Sequence, residues 1–212
     1  MVLLPAIIST ALALFAPADV HFMPASHAGA EGPDPVELRY ERIGLEDRMG
    51  YEVFQAAMSH IRNMEQGQGI LAIADMSRPS SEKRLTVIDL EIGVVLMHTY
   101  VAHGQGSGEL MAETFSNQEG SHQTSLGLYR VGREIVSPKH GAALLLHGLE
   151  PGRNDRALER EIILHGADYV SEQFIEEHGR LGRSWGCPAV SREDIAFLVA
   201  MLADGGMLYI HS

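Results

Sequence analysis

The chain has 212 residues, 45% of them apolar and 21% charged, a profile that excludes a disordered or fibrous protein and allows one hydrophobic core. Lys and Arg number 16 against 28 Asp and Glu, for a formal charge of −12, and no basic cluster interrupts the acidic balance, so nucleic acid is excluded as a natural partner. There is one cysteine, Cys187, so no disulfide can form within the chain.

Leu3 to Phe15 is apolar and leads into the small residues of Ala25-Ser26-His27-Ala28-Gly29-Ala30. This pattern predicts a secretory signal peptide over residues 1–30, although the usual basic start is missing and the first Lys or Arg is Arg39. The apolar stretch is too short and too interrupted for a stable membrane span, which needs about 20 residues. Export to an oxidising compartment makes an unpaired thiol a liability unless it is buried, paired between chains or chemically employed. Residues 31–44, with Gly32, Pro33 and Pro35, read as a linker, and the domain as residues 45–212.

Leu45, Met49, Val53, Ala57, Ile61 and Met64 recur at helical spacing and predict one helix from Leu45 to Gln66, stopped by Gly67 and Gly69. Strands are predicted at Ile70–Ala74, Leu85–Leu90 and Val94–Ala102, the last two joined as a hairpin through Gly93. Gly104 to Thr124 is a long polar, glycine-rich loop, a length that in a compact domain is usually functional or mobile. Strand signals resume at Leu126–Val131, Ala142–Leu146 and Glu161–His165. Asp168–His178 reads as a short helix closed by Gly179, Ser191-Arg192-Glu193-Asp194 as the cap of a helix reaching Ala203, and Met207–His211 as a final strand. The predicted class is mainly β with flanking helices (α+β), in a single domain.

Around the thiol the chain reads Gly182-Arg183-Ser184-Trp185-Gly186-Cys187-Pro188-Ala189, in a loop between two predicted helices. Gly186 permits close approach to the sulfur, and the Gly186 and Cys187 N–H groups are candidates to face a developing oxyanion. A free thiol is mostly protonated at neutral pH and needs a neighbouring imidazole. His165, at the end of the apolar strand Ile162-Ile163-Leu164, is the best candidate. These residues alone leave two readings open, a catalytic Cys–His pair and a buried inert thiol beside a solvent-facing histidine.

Eleven histidines invite a metal, with His98, His103, His140, His147 and His165 near strand ends or loops, but none shows the spacing of a zinc site. His103 and His147, each followed by glycine, are candidates to line a substrate or to support from behind the residues that do. Asn117 is a candidate for peptide-backbone contact, Tyr129 for the core or the wall of a cleft, and Glu159-Arg160-Glu161 reads as a solvated face.

His165-Gly166 followed by Ser184-Trp185-Gly186-Cys187 resembles the His-Gly … Ser-His-Gly-Cys signature of YkuD-type L,D-transpeptidases. The loop 182–189 is similar to the subfamily that reads Gly-Arg-Ser-Trp-Gly-Cys-Pro-Ala, as are Thr99–Gly104, Phe115-Ser116-Asn117, Ser125–Tyr129 and Ile163–Val170. The resemblance runs from about Leu45 to the C-terminus. It implies a β-sandwich or barrel core, Cys187 as nucleophile, His165 as its activating imidazole, and Ser184, Trp185 and Gly186 as the loop around the oxyanion. It implies no metal or organic cofactor, peptidoglycan stem peptides as substrate, and inhibition by carbapenems. In such enzymes the thiolate attacks the carbonyl of the diamino acid's L-centre, terminal D-alanine leaves, and an amine of a neighbouring stem resolves the thioester. Water as acceptor gives an L,D-carboxypeptidase or endopeptidase instead, and loss of turnover a peptidoglycan-binding module. This chain departs from the broader family at two positions: Trp185 replaces a second histidine, and Ala189 stands where Arg or Asn often follows the thiol by two residues. Arg183 or Arg180 is the sequence's candidate for the missing cation.

Overall fold

The computed structural model describes residues 34–61 and 69–212; the predicted signal peptide and Met64 lie outside them. The described residues form one compact unit. The expectation of a linker over 31–44 is corrected here, because Pro35–Ile43 forms helix α1. Its start signal is Asp34, whose carboxylate accepts the Val36 N–H at 2.9 Å, with Pro35 in the first turn; Gly44 ends it in the left-handed conformation at φ 72°. Val36 and Tyr40, one helical turn apart, are buried, and the Tyr40 hydroxyl donates to the Met49 carbonyl at 2.6 Å. The predicted single helix from Leu45 is likewise shorter, since α2 spans Tyr51–Ile61 and begins after Gly50. Leu45 and Met49 are still buried, as members of the turn that joins the two helices.

Eight strands make one sheet: β1 Ile70–Asp75, β2 Leu85–Asp89, β3 Val94–Thr99, β4 Gly127–Ser137, β5 Gly141–Gly148, β6 Ile163–Gly166, β7 Ala189–Val190 and β8 Met207–His211. Their order is β3-β2-β1-β8-β4-β5-β6-β7, with β1–β8 and β6–β7 parallel and the other neighbours antiparallel. Strand β4 runs six residues beyond the predicted Val131, with a bulge between Val131 and Glu134 where Gly132 lies.

Successive residues of the central strands face opposite sides, and both sides are covered. Leu71, Ile73, Leu128 and Tyr209 pack under α1 and α2, against Tyr40, Val53 and Phe54. Ala72, Ala74, Leu144, Leu146 and Leu208 turn the other way, onto Leu198 and Leu202 of helix α4 (Asp194–Leu202). Mutual bonds between Ala102, just past β3, and Ala189 of β7 join the two edges of the sheet into a nearly closed barrel. That seam falls two residues after Cys187.

Candidate active site

Helix α3 (Glu172–His178), capped by Ser171, and the loop after it link β6 to β7. Parallel pairing aligns His165 with Ala189, which brings Cys187 level with Ile163 on the adjoining strand. The half-buried Cys187 Sγ accepts the Ile163 N–H at 3.5 Å and lies 3.8 Å from the Glu161 carbonyl oxygen, within reach of an S–H donor. Glu161 holds a left-handed φ of 54°, strained for a residue with a side chain. His165 is buried and its Nδ1–H donates to the Gly166 carbonyl at 3.1 Å, an assignment that follows because a carbonyl only accepts. Its Nε2 is therefore left with the lone pair a base requires.

The thiol loop is braced on both sides. Ser184 Oγ donates to the Cys187 carbonyl at 2.5 Å and accepts the Gly186 N–H at 3.1 Å. The expectation that the Gly186 N–H faces an oxyanion is thereby corrected: Ser184 occupies it. Trp185 is 65% exposed and stacks on His122 with ring centroids 5.1 Å apart, while Lys139 Nζ lies over the indole, 4.8 Å from the ring centroid. His140, at the β4–β5 turn, stacks on His165 at 3.7 Å between centroids.

The loop 104–124 forms the wall. The Gln105 N–H donates to the Ser184 carbonyl at 2.8 Å, Thr124 Oγ1 donates to the Gly186 carbonyl at 3.3 Å, and a 3₁₀ turn covers Gln105–Ser107. Arg160 ties this wall down. Its guanidinium donates to the Ser116 and Gln123 carbonyls at 2.7 and 2.6 Å, and to Ser125 and Ser121 hydroxyls at 3.2 and 3.4 Å. The reading of residues 159–161 as a solvated face is thus corrected at Arg160, which sequence reasoning missed.

His103 is fully buried, with Nδ1 at 2.8 Å from Arg84 and Nε2 at 3.3 Å from the Gly108 carbonyl, so it packs behind the site instead of lining it. Tyr129 is also fully buried, its hydroxyl 2.7 Å from Ser125 Oγ. Asn117 donates to Asp155 at 2.7 Å, bracing loop to loop. His147 sits on β5 opposite Arg130, further along the strand than Ala143, which pairs with His165. Arg183 donates to Glu109 at 2.7 Å and to the Gly108 carbonyl at 3.0 Å, and Arg180 reaches the same carboxylate at 3.0 Å. Ala189 is buried in β7. Among the described residues no group of three or more His, Cys, Asp or Glu side chains is placed to hold a metal ion, and no helix is long and apolar enough to cross a membrane.

Burial pushes the Cys187 thiol up, opposed by the Ile163 N–H and the Arg160 charge. Burial pushes His165 down to about 4. Both directions favour the neutral thiol and the neutral imidazole. The alkylation rate of Cys187 by iodoacetamide is therefore expected to keep rising with pH beyond about 8.5, the ordinary thiol value; a rate already level below about pH 7 would reveal a resting ion pair instead.

Gly186 adopts φ 120°, and a Cβ there would lie 2.9 Å from the Gln123 carbonyl oxygen and 3.3 Å from Arg160. Gly186→Ala is expected to displace the thiol and slow its acylation about 100-fold, read by mass spectrometry of the acyl-enzyme. Acylation at the parent rate would show that the loop does not hold the sulfur.

The family model described as an L,D-transpeptidase catalytic domain matches residues 45–211. No curated protein matches the chain. Solved structures similar to it include an L,D-transpeptidase from Mycobacterium smegmatis, at 15% identity and a TM-score of 0.42, with 68% of this chain and 59% of that chain covered. One from Stackebrandtia nassauensis is 17% identical with a TM-score of 0.41, covering 84% and 76%. The LD transpeptidase LdtMt1, solved in complex with imipenem, is 14% identical with a TM-score of 0.40, covering 67% and 58%. The chain thus spans about six tenths of the first of these.

Proposed function

Because the chain belongs to the L,D-transpeptidase catalytic-domain family, we propose that it is an exported, cell-envelope cysteine acyltransferase that cross-links peptidoglycan stem peptides. The observation that carries this reading is the β6–β7 register, which sets Cys187 Sγ against the Ile163 N–H while Gly166 fixes the tautomer of His165. In the proposed reaction His165 Nε2 takes the Sγ proton as sulfur attacks the carbonyl of the diamino acid's L-centre. The C–N bond to D-alanine then breaks, and His165 returns the proton to the leaving amine. An amine of a second stem attacks the thioester, loses a proton to His165, and the released sulfur regains it. With Gly186 N–H held by Ser184, the Cys187 N–H is the loop's donor to the oxyanion.

Incubation with purified muropeptides, followed by mass spectrometry, tests this. Cross-linked dimers are expected; shortened monomers would mean that water is the acceptor, and no product with binding retained would mean a wall-binding module. A carbapenem is expected to add its mass to the wild type and not to Cys187→Ala, by analogy with the imipenem complex of LdtMt1.

A further inference from the structure

A recess of about 390 Å³ opens beside the catalytic imidazole, and the proposed reaction does not yet use it. Its wall includes His140, whose ring lies on that of His165, and residues 167–169, which continue the chain out of β6. Tyr169 and Phe174 give it an apolar side. Two cations rim it. Arg192 is fixed, donating to both carboxylate oxygens of Asp168 at 3.0 and 3.3 Å and to the His140 carbonyl at 2.7 Å. Lys139, by contrast, has no carboxylate partner among the described residues and rests over the Trp185 ring. One anion against two cations leaves the recess net positive, on a chain whose formal charge is −12.

The other cations near the thiol are already committed. Arg183 and Arg180 share Glu109, and Arg160 is spent on the carbonyls of its loop. Ala189, at the position where related enzymes often carry Arg or Asn, is a buried methyl in β7. Lys139 is also one of the charges that act on both Cys187 and His165, which puts it within electrostatic reach of the reacting atoms.

We propose that this recess is a carboxylate-binding subsite of the acyl-donor peptide, with the Lys139 ammonium as its anchor, the rigid Arg192–Asp168 pair as its rim, and Tyr169 and Phe174 against the aliphatic part of the same residue. The inference rests on the peptidoglycan reading of the site but concerns binding, so it is testable without turnover. The β4–β5 turn thereby does from a distant part of the chain what residue 189 cannot. Lys139 is a specificity-determining residue in this arrangement, and a donor lacking the carboxylate binds less well.

The full-length chain carrying Cys187→Ser, unable to form the thioester, is titrated calorimetrically with a stem tetrapeptide ending in diamino acid–D-alanine. Two further probes are its C-terminal amide and its diamino-acid side-chain carboxamide. One of the two amides is expected to bind about tenfold more weakly than the free acid, and which one identifies the carboxylate. Lys139→Gln is expected to abolish the difference, and Lys139→Arg to retain most of it. Equal affinity for all three peptides, discrimination that survives Lys139→Gln, or no binding of any of them overturns the proposal. If the peptides bind as expected but the wild type forms no product, the subsite stands and the acyltransferase reading fails.

Discussion

Replacing His165 by Asn is expected to slow acylation of Cys187 by about 10² to 10⁴-fold, the range that a positioned acid–base group contributes. Asn retains a donor near the position of Nδ1, and so a partner for the Gly166 carbonyl, but places no basic nitrogen where Nε2 stands. The loss should shrink as pH rises, because hydroxide then does what the imidazole does at neutrality. Burial already pushes the thiol up and the imidazole down to about 4, so the wild type is expected to depend on His165 throughout the neutral range. Intact-mass kinetics with a carbapenem at several pH values read this out. A loss of the same size at every pH would mean that the substitution had damaged the fold instead of removing a base. Cys187→Ala should give no adduct at any pH.

The second large effect is expected at Arg160. Arg160→Met leaves two carbonyls and two hydroxyls of the 116–125 stretch without their donor, at a cost of about 2–4 kcal/mol in unfolding free energy. It also removes a positive charge that favours the thiolate, so the Cys187 titration should move further upward. Urea unfolding checks the first consequence and the pH profile of alkylation the second. Arg160→Lys should recover part of the thiol effect and less of the stability, because one ammonium cannot span four acceptors in a planar fork. An unchanged alkylation profile in Arg160→Met would reduce Arg160 to a fastener of the loop.

The apolar strands were legible because their Val, Ile and Leu runs are local signals, and all eight strands except β7 have a counterpart in the sequence reading. β7 has only two residues and exists because it closes onto β6 and Ala102, which no local pattern announces. Helix α1 carried its signals in plain view, Asp34-Pro35 at the start and Gly44 at the end, but a polar sequence with two buried side chains looks like a linker. Cys187 and His165 stood out by chemistry and by family motif. Arg160 did not, since its partners lie 35 to 44 residues earlier in the chain and its neighbours Glu159 and Glu161 suggest an exposed run. His103 and Tyr129 take the inner of the two places that the sequence allows each, because Arg84 and Ser125 absorb their hydrogen-bonding groups in the interior.

Strand β8 lies between β1 and β4 and pairs with both, parallel to the first and antiparallel to the second. Apart from the Ala102–Ala189 seam at their outer edges, the two halves, β3-β2-β1 and β4-β5-β6-β7, therefore stay unjoined in a growing chain until residues 207–211 emerge. Their union makes contacts between residues more than a hundred positions apart, the kind of non-local pairing that folds on a scale of milliseconds to seconds. During that interval β1 and β4 expose open edges, and a nascent chain needs protection from edge-to-edge association. Any change that delays or weakens docking of Leu208 and Ile210 should thus appear first as aggregation during synthesis, before it appears as a lower melting temperature in the finished protein.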